Sequence, residues 1–205
     1  MKPNTTNFGD GITIFKDPSK KGYEQALKKA FSEDKSILVE QYWEGIECRF
    51  LVIENKVIGV LHRIPANVIG DGKQTIRELV DEKNEDPRRG KGYKTPLEKI
   101  ELGDFEINFL KTQNLTPNST PEKDQQIFLR LNSNISTGGD SIDYTDKVHA
   151  EYNDIAIRAS QTVDATFCGV DIILKSPKNA PTSDNHVIIE VNYNPVLYFH
   201  DYPYE

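Results

Sequence analysis

The hydrophobic pattern is sharpest near the C-terminal end. FCGVDIIL (Phe167 to Leu174) and HVIIEVN (His186 to Asn192) are apolar, β-branched runs joined by the polar stretch SPKNAPTSDN. They read as antiparallel neighbouring strands. Nearer the start, CRFLVI (Cys48 to Ile53) and VIGVLHRI (Val57 to Ile64) flank Glu54-Asn55-Lys56 and predict a hairpin. Shorter strand-like runs occur at Ile12 to Phe15, Ile37 to Trp43 and Ile127 to Leu131. Three stretches have helical spacing instead. Tyr23, Ala26, Leu27, Ala30 and Phe31 follow Asp17-Pro18, an N-cap with proline at the first helical position, and predict a helix to about Ser32. Thr75-Ile76-Arg77-Glu78 has the form of a capping box opening a helix towards Asn84. Asp146 is the predicted N-cap of the longest helix, with Val148, Tyr152, Ile155, Ala156, Ala159 and Val163 as its apolar stripe. The segment 85–95 reads as a surface loop, and 117–126 as a loop in preference to a linker, since the strand-like run Ile127 to Leu131 follows at once. Helices mixed with hairpins define an α+β class with a largely antiparallel sheet.

Composition narrows what such a fold serves. The 205 residues carry a net charge of −7 and 37% hydrophobic residues, which suits one globular domain or two small ones. No apolar run approaches the ~20 residues of a membrane-spanning helix, and no apolar leader follows Met1. A cytoplasmic protein with no membrane role is expected. The acidic balance and the lack of a dense Lys/Arg patch argue against nucleic acid as a partner. Cys48 and Cys168 lie far apart and outside metal-ligand spacing; two reduced thiols are expected, with a single bridge as the alternative.

Some residues resist a purely structural reading. Asp171 interrupts FCGVDIIL, and a carboxylate buried there costs several kcal/mol unless compensated. Glu190 and Asn192, two apart in the partner strand, share one face, with Ile189 and Val191 on the other. Antiparallel pairing brings Asp171 across from Glu190, so two carboxylates and an amide oxygen converge. Such a hard-oxygen set fits Mg²⁺ better than Zn²⁺ or an all-protein Ca²⁺ cage. The alternative is that Asp171 pairs with an arginine while Glu190 faces solvent. Lys2 precedes a glycine-bearing loop, NTTNFGDGI, able to direct N–H groups at phosphate, although an ordinary glycine turn has the same composition. A second polar loop, Arg130 to Asp140, is rich in small hydrogen-bonding side chains after a short apolar strand and reads as a surface loop of the binding kind.

Taken in order, KPNTTNFGDGITIF, VEQYWEGIECRFLVI, RIPANVIGDGKQTIREL, LRLNSNISTGGDSID, CGVDIIL and IIEVNYNPVLYFHDYP resemble the ATP-grasp ligases. The resemblance is strongest to the glutathione synthetase module of the bifunctional glutathione-biosynthesis family. It implies an ATP-grasp fold in two subdomains: residues 1–43 as a partial small subdomain and 44–205 as the central one with the metal and substrate sites. Lys2 would meet ATP phosphate, the loop through Gly9 and Gly11 would close over it, and Val39, Glu40, Gln41 and Tyr42 would meet adenine. Glu47 would take the ribose hydroxyls, and Asp171, Glu190 and Asn192 would hold Mg²⁺, or Mn²⁺ in its place. Arg130 with Asn132, Ser136, Gly138 and Gly139, together with Arg63, would hold phosphate and the acyl substrate. Lys2 and Arg130 would then be the catalytic cations. Independently of the resemblance, strand alternation turns Cys48, between Glu47 and Arg49, to the opposite face, as a core residue and not a nucleophile. The implied substrates are ATP, γ-glutamylcysteine and glycine, joined through an acylphosphate.

Relatives in this family carry a further phosphate-binding lysine upstream and a preceding domain, so the chain is expected to be truncated at both ends and to work with the missing N-terminal part of a parent enzyme. Two other outcomes stay open: a non-catalytic ATP-grasp piece, and a related peptide ligase of the cyanophycin-synthetase or D-alanine–D-alanine-ligase kind.

Overall fold

The computed structural model describes residues 1–4, 13, 19–197 and 200. They form two compact units, Met1–Glu44 and Gly45–Glu205. In the first, β1 (Lys2–Pro3) pairs antiparallel with β2 (Ile37–Leu38), and α1 (Lys20–Glu33) buries Ala26 and Ala30. The N-cap of α1 is Ser19, whose hydroxyl accepts from Gly22 N–H at 3.1 Å. Asp17 and Pro18, the predicted start, lie outside the described residues, as does most of the predicted strand 12–15. Of the run Ile37 to Trp43 only two residues are strand. Their described partner is equally short and ends in Pro3, which has no N–H to donate.

The second unit contains β3 (Ile46–Ile53), β4 (Lys56–Ile64), β5 (Asn67–Ile69), α2 (Ile76–Lys83), β6 (Arg89–Gly90), β7 (Leu97–Glu98) and α3 (Asp104–Thr112). It continues with β8 (Gln126–Phe128), β9 (Asp140–Asp143), α4 (Glu151–Thr162), β10 (Phe167–Leu174) and β11 (His186–Asn192). Five strands form an antiparallel sheet in the order β11-β10-β3-β4-β9. The hairpin β3–β4 turns through Glu54 and Asn55, with Glu54 at φ 55°, one residue tighter than predicted. The Thr75 capping box is present, with Thr75 Oγ1 accepting from Glu78 N–H and the Glu78 carboxylate accepting from Thr75 N–H.

Two elements correct the sequence expectation. The helix predicted from Asp146 begins at Glu151 and, at 12 residues, is shorter than the 14-residue α1. Residues before it are committed elsewhere: Lys147 N–H bonds to Tyr144 O, and His149 N–H to Pro177 O. Helix α3 has no counterpart in the expected pattern. Its buried positions are Glu106 and Leu110, so half of its inward face is charged and its periodicity is concealed.

The two faces of the five-stranded sheet differ in kind. One carries Cys48, Phe50, Val52, Val60, Cys168, Val170, Ile172 and Leu174 against Tyr152, Ile155 and Ala156 of α4, the main core. A second core, including Val68, Ile76, Val80, Leu110, Ile127 and Leu129, sits among α2, α3, β5 and β8. The face of the sheet away from α4 bears the charged residues.

Candidate active site

Strand alternation builds this face. Glu47 and Arg49 are two apart on β3, so both point away from α4, and register places Arg49 beside Asp171 and Glu47 beside Arg63. On the other flank of β10, Glu190 stands opposite Asp171 and Asn192 opposite Gly169. The sequence expectation that Asp171 meets Glu190 across an antiparallel pair is what the register shows. A bulge between Asp171 and Ile172 puts Ile188 opposite Ile172, which leaves Ile189 as the extra residue of β11.

Asp171 is 1% exposed and doubly compensated. Arg49 donates to it in the bidentate manner, Nε to Oδ1 and Nη2 to Oδ2, both at 2.7 Å, and Arg63 Nη2 donates to Oδ2 at 2.8 Å. Burial raises the carboxyl pKa, but Arg49 and Arg63 outweigh it and hold the group below the ordinary carboxylate range. Burial likewise opposes the Arg49 charge, and Asp171 more than offsets it, so the guanidinium pKa rises. Arg63 also binds Glu47 Oε1, and Ser133 Oγ donates to Glu47 Oε2 at 2.6 Å. Asn192 Nδ2 donates to Glu190 Oε1 at 2.9 Å and stands 3.4 Å from Asp171 Oδ2. Glu190 itself is 52% exposed in its side chain. Both readings of the sequence therefore meet at one place: Asp171 is paired with arginines, and the three oxygen-bearing side chains are together. Arg49 is the residue the sequence reading passed over. Its signal was its position two after Glu47 on a strand.

Glycine makes room for this arrangement. A Cβ on Gly169 would lie 3.2 Å from Arg49 Cδ and 3.3 Å from its Nε. Ser141 Oγ and Arg63 Nε, from residues facing each other across β4 and β9, are buried without a hydrogen-bond partner. Buried polar atoms of this kind are usually satisfied by water or a ligand.

The polar loop after Arg130 is braced from beneath. Ile135–Thr137 form one 3₁₀ turn that contains Ser136, and Asn132 is half-buried ahead of it. Gly138, at φ 90°, and Gly139 are buried. A Cβ on Gly138 would approach Ile100 to 2.8 Å, and one on Gly139 would approach the Ile64 carbonyl to 2.8 Å. Close packing alone thus requires both glycines. Arg89 donates to Gly138 O at 3.1 Å, to Glu98 O at 2.8 Å and to the Asp140 carboxylate. Asn67 Nδ2 and Lys83 Nζ donate to Asp140 Oδ2 at 2.8 and 2.6 Å. Arg130 Nε is bound to Glu106, and its guanidinium lies 4.5 Å from the Phe105 ring centroid, so α3 orients it.

In the first unit, Lys2 Nζ pairs with Glu40 at 2.8 Å, and Val39, Glu40, Gln41 and Tyr42 are all exposed. Gly9 and Gly11 lie outside the described residues. Cys48 is fully buried, with burial pushing its thiol pKa up to about 12, and no disulfide joins it to Cys168.

Among the described residues, no three His, Cys, Asp or Glu side chains gather as a metal centre. The Asp171–Glu190–Asn192 set has only two acidic members, and its third donor is an amide whose oxygen and nitrogen exchange places by rotation. Its chemistry is that of a hard cation's oxygen ligands, with Glu190 and Asn192 on the open side.

Residues 121–201 match the RimK-like ATP-grasp domain. The whole chain is 53% identical to 26% of the glutathione biosynthesis bifunctional protein GshAB of Clostridium perfringens, and 51% identical to 26% of its counterpart in Listeria monocytogenes. It thus spans about a quarter of the length of these curated relatives. The crystal structure of a bifunctional glutathione synthetase from Pasteurella multocida superposes with a TM-score of 0.71 at 46% identity, covering 98% of this chain and 28% of that one. The chain carries an ATP-grasp domain and is homologous to part of the glutathione synthetase module of these bifunctional proteins.

Proposed function

We propose that the chain serves ATP-dependent carboxylate–amine ligation of the glutathione synthetase type. In this reading the carboxylate of γ-glutamylcysteine attacks the γ-phosphate of ATP, giving an acylphosphate and ADP. The glycine amine then displaces phosphate and loses a proton, giving glutathione. The observation that carries the reading is the convergence of Asp171, Glu190 and Asn192 with two guanidiniums on one sheet face, inside a segment homologous to glutathione synthetase.

The protein supplies position and charge here and no covalent nucleophile. Glu190 and Asn192, with Asp171 behind them, are the residues that would hold Mg²⁺. An ion held by them would supply charge to neutralise phosphate oxygens and orient the nucleotide. Lys2 and Arg130 are proposed as cations for phosphate, Val39 to Tyr42 as the adenine contact and Glu47 as the ribose contact. Arg63 and the Asn132–Gly139 loop are proposed for phosphate and the acyl group. The partnerless Ser141 Oγ and Arg63 Nε support a polar ligand on this face.

A non-catalytic reading has its own support in Asp171, whose two oxygens are already committed to arginines. Two measurements separate the readings. Mg-ATP at about 100 times its Kd should add roughly 2.7 kcal/mol of stability if nucleotide binds. Phosphate release should require both γ-glutamylcysteine and glycine, and Glu190→Gln should abolish it. Release that needs a different acid or amine would indicate another peptide ligase, and no release at all would support the non-catalytic reading.

A further inference from the structure

We infer that Arg49 is the resident cation of the Asp171–Glu190–Asn192 site, so that its guanidinium and a divalent ion compete for one place. This rests on the metal role proposed for those three residues. One guanidinium faces both carboxylates: Arg49 Nη2 is 2.7 Å from Asp171 Oδ2 and 3.8 Å from Glu190 Oε1. The two acids stand directly opposite each other in register, where their like charges repel unless a cation screens them.

The charge balance favours exchange. Arg49 and Arg63 face three carboxylates, Asp171, Glu190 and Glu47, so the cluster is one positive charge short. A divalent ion in place of Arg49 brings it to neutrality. The exchange is also sterically open. The Arg49 side chain is 12% exposed, at the edge of the buried cluster, and Gly169 leaves its stem uncrowded. Arg63 is held by Glu47 as well as Asp171, so it stays when Arg49 leaves and keeps Asp171 partly compensated.

The test uses the full chain without nucleotide. Thermal melts of the wild type and of Arg49→Gln are recorded in EDTA and in about 10 mM MnCl₂, and free Mn²⁺ is counted by electron spin resonance. Arg49→Gln should melt lower in EDTA, recover at least half of that loss with Mn²⁺, and bind Mn²⁺ about tenfold or more tightly than the wild type. Adding Glu190→Gln should remove the recovery. If Arg49→Gln folds only with Mn²⁺, the proposal is supported. Equal melting losses with and without the ion, or unchanged Mn²⁺ affinity, would overturn it. Should Arg49→Gln fail to fold in either condition, Arg49→Lys decides: a point charge cannot make the bidentate pair, so Mn²⁺ affinity should rise several-fold, and wild-type affinity would overturn the proposal. Neither readout involves turnover, so a chain that gains Mn²⁺ affinity yet ligates nothing would refute the proposed function and leave this inference standing.

Discussion

Two aspartates of the second unit are each clamped by two cations, and their surroundings differ in sign. Asp140 is held by Arg89, Lys83 and Asn67, so its cluster has one positive charge in excess. Asp171 is held by Arg49 and Arg63, but Glu47 and Glu190 stand beside it and leave that cluster one positive charge short. The same device thus ends in two roles. Around Asp140 it ties backbone together, since Arg89 also holds the carbonyls of Gly138 and Glu98. Around Asp171 it leaves a net negative charge on the open side, where Glu190 is exposed. A buried ion pair by itself says little about purpose; the unneutralised remainder nearby says more.

The largest effect should come from the Asp140 clamp. Arg89→Ala should cost about 3–5 kcal/mol in urea unfolding, because it strips one cation from a buried carboxylate and leaves two carbonyls unpaired. Divalent ions should not change that loss. A cost below about 1 kcal/mol would erase the distinction between the clusters.

Acid titration should give the next largest effect, in two separable windows. His62, on the α4 side of the sheet, has its pKa lowered by burial to about 4, so the folded state resists protonating it. Its contribution is whole above the unfolded value near 6.5 and falls as pH drops from there to about 4, by on the order of 1–2 kcal/mol after allowance for its partial exposure. His62→Gln should flatten this window. Asp171 has a depressed folded pKa, so its contribution is present above the unfolded value near 3.9 and is lost only as pH falls below it. Asp171→Asn should shrink the second window, which Asp71, Glu78 and Asp143 share through their own depressed values, and leave the first. Loss of the first window in Asp171→Asn would mean that the two faces titrate together.

The smallest effect should follow Glu190→Gln, where unfolding free energy should stay within about 0.5 kcal/mol of wild type. A larger loss would give Glu190 a structural role like that of Asn67 at Asp140.

Legibility from sequence tracked whether a residue's partner was local. The Thr75–Glu78 capping box and the runs Phe167–Leu174 and His186–Asn192 carry their own signals, and the structure has them residue for residue. Alternation placed Glu190 and Asn192 on one face, and register set Asp171 opposite Glu190. Ile189 escaped this logic because a bulge inserts one residue there. Helix α3 escaped because one of its buried residues is Glu106, satisfied by Arg130 from 24 positions away. The Asp171–Arg49 pair spans 122 positions and depends on how β3 and β10 align, which no local spacing encodes. The loop 85–95 looked like plain surface, yet Arg89 within it is buried beneath the glycine turn.

Gly169 has a consequence for how Arg49 can be moved. The Arg49 side chain passes within 3.2 Å, at Cδ, and 3.3 Å, at Nε, of the spot where any other residue at 169 would put its first side-chain carbon. The two positions, 120 residues apart in the sequence, are therefore in steric contact, and a side chain at 169 requires Arg49 to give way by a few tenths of an ångström. Gly169→Ala offers a neutral push on the arginine that leaves every charge in the neighbourhood intact.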